Sequence, residues 1–334
     1  TRQLTFFNDY DIKFPSLGTD AIVFEKGGAI YRFDLTAGTA AAIPITVAED
    51  FAASRSGLLD VSQSIANFEI SPDGQRALFG ARGDLFTTPA KYGEIRNLTA
   101  TPGIHERSSS WSPDGRWIAA ISDRSGEDEI WLFSQEGKTA PRQITRNGDV
   151  YKYRPHWSPD SRKLLWADKK LRLQYVDIES REITIVDSAR VFEFNDYAWS
   201  PNNKWIVYTR SEEEMMPRLY LYSVATKTTT PISDGWFDCA NPVFSSDDRY
   251  LFFVSDRDFN PLYSQTEWNH IYRDMSRIYM MTLARDTKSP FEPKSDEVQI
   301  GESAPAAAGN KTGKKEEKKE NSFAITTSRI DVEG

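Results

Sequence analysis

The residues that could carry out chemistry are few, and their spacing does not assemble a catalytic group. The chain has three histidines and one cysteine in 334 residues. His105 opens His-Glu-Arg-Ser-Ser, which begins like a zinc-protease helix but lacks the second histidine four residues on. His156 precedes Trp157 directly, and no aligned Ser or Cys accompanies it. We therefore predict structural roles for both, with His156 packed or at the edge of a central channel.

Nucleophilic catalysis is equally unsupported by the sequence. No Gly-x-Ser-x-Gly segment, the nucleophile elbow of many hydrolases, occurs in the chain. Cys239 precedes a strand-like run, where a free cysteine usually acts as a small buried apolar residue. The sequence thus predicts no catalytic residue, no metal site and no cofactor within this chain.

The elements that must position any functional residue are given by a repeat. One short phrase returns five times at intervals of roughly 40–50 residues, the period of a β-propeller blade. Its aligned serines are Ser71, Ser112, Ser158, Ser200 and Ser245. In Ser-Pro-Asp-Gly, proline presets the second position of a type I turn and glycine suits the fourth. Each phrase is therefore a strand, a turn and the start of another strand.

Further strands follow each turn in the same order. After Ser112 come the runs WIAAIS, EIWLF and RQIT, separated by polar segments. Equivalent runs follow Ser158 and Ser200, and helical periodicity is nearly absent. The sequence predicts an all-β chain, a β-propeller of four-stranded blades with six recognisable blades and a partial seventh. Whether such a propeller closes with six or seven blades stays open.

The repeat also divides the chain. We predict a propeller over residues 1–300, with blade anchors near 16, 71, 112, 158, 200 and 245. Arg2–Thr5 matches Arg142–Thr145, so it is predicted to be the last strand of an earlier blade. Residues 301–322 are small, polar and densely charged, which is typical of a disordered linker. Residues 323–334 regain a strand pattern and are predicted to begin a further blade.

Composition narrows the possible partners. The formal net charge is −8, and the basic cluster Lys311–Lys319 is interleaved with glutamates, so nucleic-acid binding is disfavoured. No apolar stretch approaches the roughly 18 residues that would cross a bilayer. One cysteine excludes an internal disulfide. We expect a cytoplasmic protein, with the periplasm as the alternative.

The first strand of each propeller blade lines the central channel, so polar residues just before the anchors are candidate channel residues. They are Arg107, Arg154, Asp196 and Asn241. Strand alternation lets only one register face the channel, and the spacing alone does not say which. A charged ring that steers peptides is one interpretation, since a narrow channel focuses potential. A water-filled pore with no ligand is the other.

A second departure from the repeat is a long insertion at 255–283, where the preceding blades have only short turns. Long aromatic loops on a rigid scaffold often recognise another molecule. Docking against a neighbouring domain of the same polypeptide explains them equally well. The candidate interaction residues are Phe259, Tyr263, Trp268, His270 and Tyr272.

The same insertion carries a resemblance to a known family. YSQTEWNHIYRDMSRIYMMTL at 263–283, followed by SPFEPKSDE, resembles the corresponding stretch of bacterial tricorn-like serine peptidases. The opening RQLTFFNDYDIKFPSLG and the closing SRIDVEG resemble the same family. By this resemblance the chain is similar to the family's second, seven-bladed propeller, which precedes a PDZ-like module and a peptidase core.

The resemblance implies an accessory function. The family's catalytic residues lie in the later core, and none can be placed on a position of this chain. The expected function is guiding or filtering peptides or unfolded polypeptides towards a catalytic core outside the chain, with possible homo-oligomer formation. Two alternatives remain: a protein-interaction scaffold of TolB type, and the propeller cap of a prolyl-oligopeptidase-like hydrolase.

Overall fold

The computed structural model describes residues 2–48, 57, 59–213, 216–258, 261–262, 271–293, 296 and 330. Within these residues the chain forms a succession of antiparallel sheets, each built from strands consecutive in sequence. Apart from one 3-10 turn at Ser62–Ser64, the described residues contain no helix, and none is long and apolar enough to span a membrane. The predicted all-β architecture is confirmed.

The sheets are numbered one to six in chain order. Sheets one to three contain β1 (Ile12–Leu17), β2 (Ala21–Lys26), β3 (Ala29–Asp34) and β4 (Thr39–Ala42); β5 (Ile65–Ile70), β6 (Arg76–Ala81), β7 (Asp84–Pro89) and β8 (Arg96–Asn97); β9 (Glu106–Trp111), β10 (Trp117–Ser122), β11 (Glu129–Ser134) and β12 (Arg142–Gln143). Sheets four and five contain β13 (His156–Trp157), β14 (Lys163–Ala167), β15 (Arg172–Asp177) and β16 (Ile183–Ser188); β17 (Tyr197–Trp199), β18 (Trp205–Ser211), β19 (Pro217–Ser223) and β20 (Thr228–Pro231).

Sheet six differs from the other five. Three of its strands pair, β21 (Cys239–Phe244), β22 (Tyr250–Asp256) and β25 (Ser276–Thr282). Between the last two, β23 (Pro261–Leu262) and β24 (Ile271–Tyr272) form a separate two-stranded ribbon within the insertion. In the part of the chain that the structure describes, this sheet therefore has three strands, where the repeat predicts four.

The chain divides into two compact units, Thr1–Leu59 and Asp60–Gly334. The first unit contains sheet one, where Phe24 stacks on Tyr31 at a centroid distance of 5.7 Å. Residues 2–8 pair with no described strand. The assignment of Arg2–Thr5 to the last strand of an earlier blade stays a prediction. The predicted domain boundaries at 300 and 322 fall outside the described residues and stay predictions.

A shared hydrogen-bond pattern explains why the five repeated phrases fold alike. In the first, the Ser71 hydroxyl donates to Asp73 at 2.6 Å and accepts from the Arg76 N–H at 2.9 Å. The Gly74 N–H closes the turn on the Ser71 carbonyl at 2.8 Å. The same bonds recur from Ser112, Ser158, Ser200 and Ser245. The predicted turns are confirmed, and each serine serves backbone geometry.

The apolar core of the second unit lies between successive sheets. Trp111 packs with Leu78 and Leu85 of the preceding sheet, and Trp199 packs with Leu165 and Tyr175. Trp157 occupies the same position between sheets three and four, and its indole N–H donates to the Ser110 carbonyl at 3.2 Å. These three tryptophans therefore pack between neighbouring blades. Aromatic side chains at this repeated position join each sheet to the one before it.

Candidate functional site

The first strands of the blades are irregular at the predicted channel residues. The register of β5, β9 and β21 shifts near Asn67, Ser108 and Asn241. Ser108 and Asn241 also have positive φ angles of 53° and 51°. Such β-bulges bend a strand and re-aim its side chains, and they recur next to functional sites. Three different blades thus carry the same local distortion four residues before the repeated serine.

Burial shows which register of these strands faces away from the neighbouring sheets. Before β13, Arg154 is exposed and Pro155 is buried, and His156 is exposed again. In β21, Asn241 is exposed whereas Pro242 is buried. Because side chains alternate along a strand, the register of Arg154 and Asn241 is the solvent-facing one. The sequence left this choice open.

A polar contact joins three successive first strands. The Glu69 carboxylate accepts from the Trp111 N–H at 2.7 Å, and its other oxygen lies 3.7 Å from the Arg154 guanidinium. Burial raises the pKa of the Glu69 carboxyl, and the Trp111 and Arg154 contacts oppose that shift. Sheets two and four are not adjacent in sequence, so this contact brings their first strands to a common space.

His156 and Tyr197 extend this polar cluster. Their rings lie 4.9 Å apart, and the Tyr197 hydroxyl donates to the Arg154 carbonyl at 3.2 Å. Burial raises the pKa of Tyr197 to about 12. The His156 ring touches solvent but is hemmed in by protein, and this loss of hydration, with the Arg154 charge, lowers its pKa to about 4. His156 is therefore uncharged at neutral pH.

Arg107 does not share the environment of Arg154. Its guanidinium forms an ion pair with Asp128, donates to the Lys152 carbonyl at 3.0 Å and lies 3.9 Å from the Tyr151 ring centroid. The Lys152 side chain is fully buried, and burial lowers its pKa. Arg107 therefore connects sheets three and four, with 14% of its side chain exposed, and the structure does not bring it to Arg154.

Asp196 and Asn241 are brought together by the structure. The Asp196 carboxylate accepts from the Asn241 N–H at 3.1 Å and from the Thr209 hydroxyl at 3.4 Å. Beside it lies a cleft of about 360 Å³. A second cleft of about 470 Å³ shares Val191 and Ser211 with the first. We call the first space the Asp196 cleft; its walls include Leu171, Val191, Phe192, Pro217 and Ala240.

The candidate interaction residues cannot be placed in the same way. Phe259, Tyr263, Trp268 and His270 lie outside the described residues. Tyr272 lies on β24, which pairs with Pro261–Leu262. Their proposed role stays a prediction, as does a channel role for the four polar candidates.

Sequence reasoning missed Glu69 and Tyr197. Glu69 stands two residues before Ser71, the position that His156 has before Ser158, so the sequence itself showed that Glu69 shares the register of Arg154. Tyr197 belongs to the buried register, and only the fold shows that its hydroxyl reaches Arg154.

Consecutive antiparallel sheets, joined by repeated turns and packed through aromatic anchors, define a β-propeller. The family model of the tricorn protease second β-propeller domain matches residues 65–332. The chain belongs to this family, which confirms the resemblance found in the sequence.

Individual relatives agree with this assignment. The tricorn protease homolog 1 of Streptomyces coelicolor is 26% identical over 234 residues, covering 67% of this chain and 22% of that protein. A tricorn protease homolog of Saccharolobus solfataricus is 24% identical over 298 residues, covering 89% of this chain and 27% of that protein. The chain thus spans about a quarter of the length of these relatives.

A crystal structure of the tricorn protease shows the same fold. It superposes with a TM-score of 0.63 at 19% sequence identity, covering 86% of this chain and 28% of that chain.

Proposed function

We propose that this chain is the non-catalytic propeller region of a tricorn-like serine peptidase, and that its channel guides or filters peptides towards a catalytic core elsewhere in the polypeptide. Membership of the tricorn propeller family supports the parentage. Peptides or unfolded polypeptides are then the passing ligands, and PDZ-like and peptidase-core domains are the neighbours.

The observation that carries the channel proposal is the contact between Glu69 and Arg154. It spans the first strands of sheets two, three and four, since the Trp111 N–H binds the same carboxylate. The exposed residues beside it include the polar Arg154 and His156, and also the apolar Phe68 and Ile70 of β5, which are 71% and 66% exposed. The polar groups offer hydrogen-bond partners to a peptide backbone.

The charges of this surface do not favour acidic peptides. Free arginines would favour acidic peptides, but Arg107 and Arg154 both have carboxylate partners. Because His156 is uncharged at neutral pH, it adds no positive charge. We therefore propose that polar contacts and width decide what passes, with little preference for acidic peptides.

A covalent plug tests this proposal. In the full-length polypeptide, Arg154→Cys is labelled with a maleimide-linked polyethylene glycol chain; the native Cys239 is 1% exposed and should not react. Hydrolysis of a long unfolded polypeptide and of a short chromogenic peptide is then measured. The label should slow the long substrate at least several-fold and spare the short one, which can enter elsewhere.

The matched control is Ser180→Cys, on the exposed turn between β15 and β16. Labelling there should leave both rates unchanged, and unlabelled Arg154→Cys separates the substitution from the plug. If the plugged protein cleaves long polypeptides at the unlabelled rate, the channel proposal fails and the scaffold alternative gains support.

A further inference from the structure

The Asp196 cleft combines a fixed carboxylate with apolar walls. Asp196 stands at the beginning of sheet five, and one of its carboxylate oxygens, Oδ2, accepts bonds from two neutral donors, the Asn241 N–H and the Thr209 hydroxyl. Among the described residues, no Lys or Arg side chain forms an ion pair with it. The carboxylate is therefore oriented by neutral groups, and its negative charge is not balanced by a described cation.

The other acidic group of the cleft is in a different state. Glu193 forms an ion pair with Lys169 at 2.7 Å, and the Lys169 bond lowers the pKa of this carboxyl. Its charge is thus already matched. Of the two carboxylates that line the cleft, Asp196 is the one without an ion pair among the described residues, so it can attract a cationic ligand.

The walls favour an apolar group next to the charge. Leu171, Val191, Phe192 and Pro217 line the cleft, and Phe192 is exposed to solvent although it is large and apolar. A Lys or Arg side chain, or an N-terminal ammonium beside an apolar residue, presents this pairing of a positive end and an apolar body. The volume of about 360 Å³ accommodates one or two such side chains.

We propose that the Asp196 cleft binds peptide segments that carry a positive charge next to an apolar side chain. This inference rests on the proposed function, because it names the class of peptide that would be held near the predicted channel. The adjoining cleft shares Val191 and Ser211 with it and is lined by both arginines and glutamates, so the rest of a segment could lie there. The preference is opposite to the one that unpaired arginines would impose.

Direct binding to this chain tests the inference without any peptidase. The probes are an acetylated Leu-Lys-Leu peptide amide and its counterpart with acetyl-lysine, which has the same shape but no charge. Calorimetry at low ionic strength should show about fivefold tighter binding of the charged peptide, the upper range for an ion pair at a partly exposed site. The difference should shrink at 0.5 M salt because screening weakens the attraction.

Two substitutions separate charge from apolar contact. Asp196→Asn keeps an oxygen for the Asn241 N–H, and should reduce binding of the charged peptide about fivefold to the level of its acetyl-lysine counterpart. Phe192→Ser should weaken both peptides alike. The control is Asp160→Asn, which removes one negative charge at a turn where the next repeat has Asn202.

Each outcome decides the inference. It fails if neither peptide binds, if both bind the wild-type chain equally, or if Asp160→Asn reduces the charge preference as much as Asp196→Asn. It also remains separable from the channel proposal. A plug that leaves hydrolysis unchanged would refute passage while the binding data stood, and loss of the charge preference would leave passage intact.

Discussion

Arg107 and Arg154 occupy neighbouring positions of the repeat, but they differ in what they contribute to the stability of the fold. Arg107 is held by Asp128, by the Lys152 carbonyl and by the Tyr151 ring, whereas Arg154 has one carboxylate oxygen at 3.7 Å. The exposed fractions of the two side chains are 14% and 46%. Water competes for the second pair far more than for the first.

We therefore expect Arg107→Gln to lower the free energy of unfolding by about 1.5–3 kcal/mol, the range for hydrogen bonds to charged groups. Arg154→Gln is the matched control and should cost less than about 1 kcal/mol. Urea denaturation of both variants measures the difference. Equal losses would show that Arg154 also has a structural role.

His156 gives a prediction about pH. Its folded pKa of about 4 lies below the roughly 6.5 of an unfolded chain, so the unfolded state takes up a proton first as the pH falls. The native state should thus lose stability between pH 6.5 and 4 through this residue. The neighbouring Glu69, whose pKa is raised, acts in the opposite direction, because its contribution is lost as the pH rises.

The contribution of His156 is therefore measured by comparing the free energy of unfolding of the wild-type chain with that of His156→Gln. In the variant, this free energy should fall less steeply between pH 6.5 and 4. Arg154 and Tyr197 face the ring and stay in place in both proteins. Proton NMR should show the His156 ring titrating near pH 4, identified by its absence from the variant. Titration near 6.5 would contradict the hydration loss on which this prediction depends.

At the scale of elements, the fourth residue of the repeated turn links neighbouring blades at Ser161 and Asn203. This position has positive φ throughout and is Gly in the first two turns. Where it is Ser161, the hydroxyl accepts from the Asp114 N–H of the preceding turn at 3.0 Å. Asn203 accepts from the Asp160 N–H at 3.0 Å in the same way. Ser and Asn are less suited than Gly to the left-handed backbone conformation, but at these two positions their side chains link two turns.

Two variants at Ser161 separate the backbone effect from the link. Ser161→Ala loses the hydrogen bond and keeps the strained backbone, so we expect a loss of about 1–2 kcal/mol. Ser161→Gly loses the same bond but relaxes a conformation that costs other residues about 1 kcal/mol or more, so it should be less damaging. Chemical denaturation compares them. A larger loss for Gly than for Ala would refute the backbone strain, and no loss in either variant would refute the link.

The strands and turns were predictable because each depends on residues a few positions apart. WIAAIS and EIWLF form β10 and most of β11, and the Ser-Pro-Asp-Gly turns close as the residue types require. The bulges near Ser108 and Asn241 were not predictable, since a register shift depends on the partner strand. The link from Ser161 to Asp114 was hidden for the same reason. The contact of Arg107 with the Lys152 carbonyl likewise arises only when sheets three and four meet.

At the scale of the second unit, stability resides between sheets more than within them. Successive apolar clusters join sheets two and three, three and four, four and five, and five and six. Each sheet thus depends mainly on its two neighbours, the arrangement found in repeat proteins. A buried side chain between sheets five and six should therefore contribute as much to the free energy of unfolding as one between two central sheets.

Ile330 is such a side chain, and it connects the far end of the sequence to this core. It is 8% exposed and packs in the cluster of Val207, Leu221, Phe244, Leu251 and Leu283, which joins sheets five and six. Ile330→Ala should lower the free energy of unfolding by about 2–5 kcal/mol, because it leaves a cavity in a packed core. Ile278→Ala makes the same chemical change on β25, at a residue that is 78% exposed, and should cost within about 0.5 kcal/mol. Urea denaturation of the pair measures the contrast. Equal, small losses would mean that Ile330 does not contribute to the packing between sheets five and six.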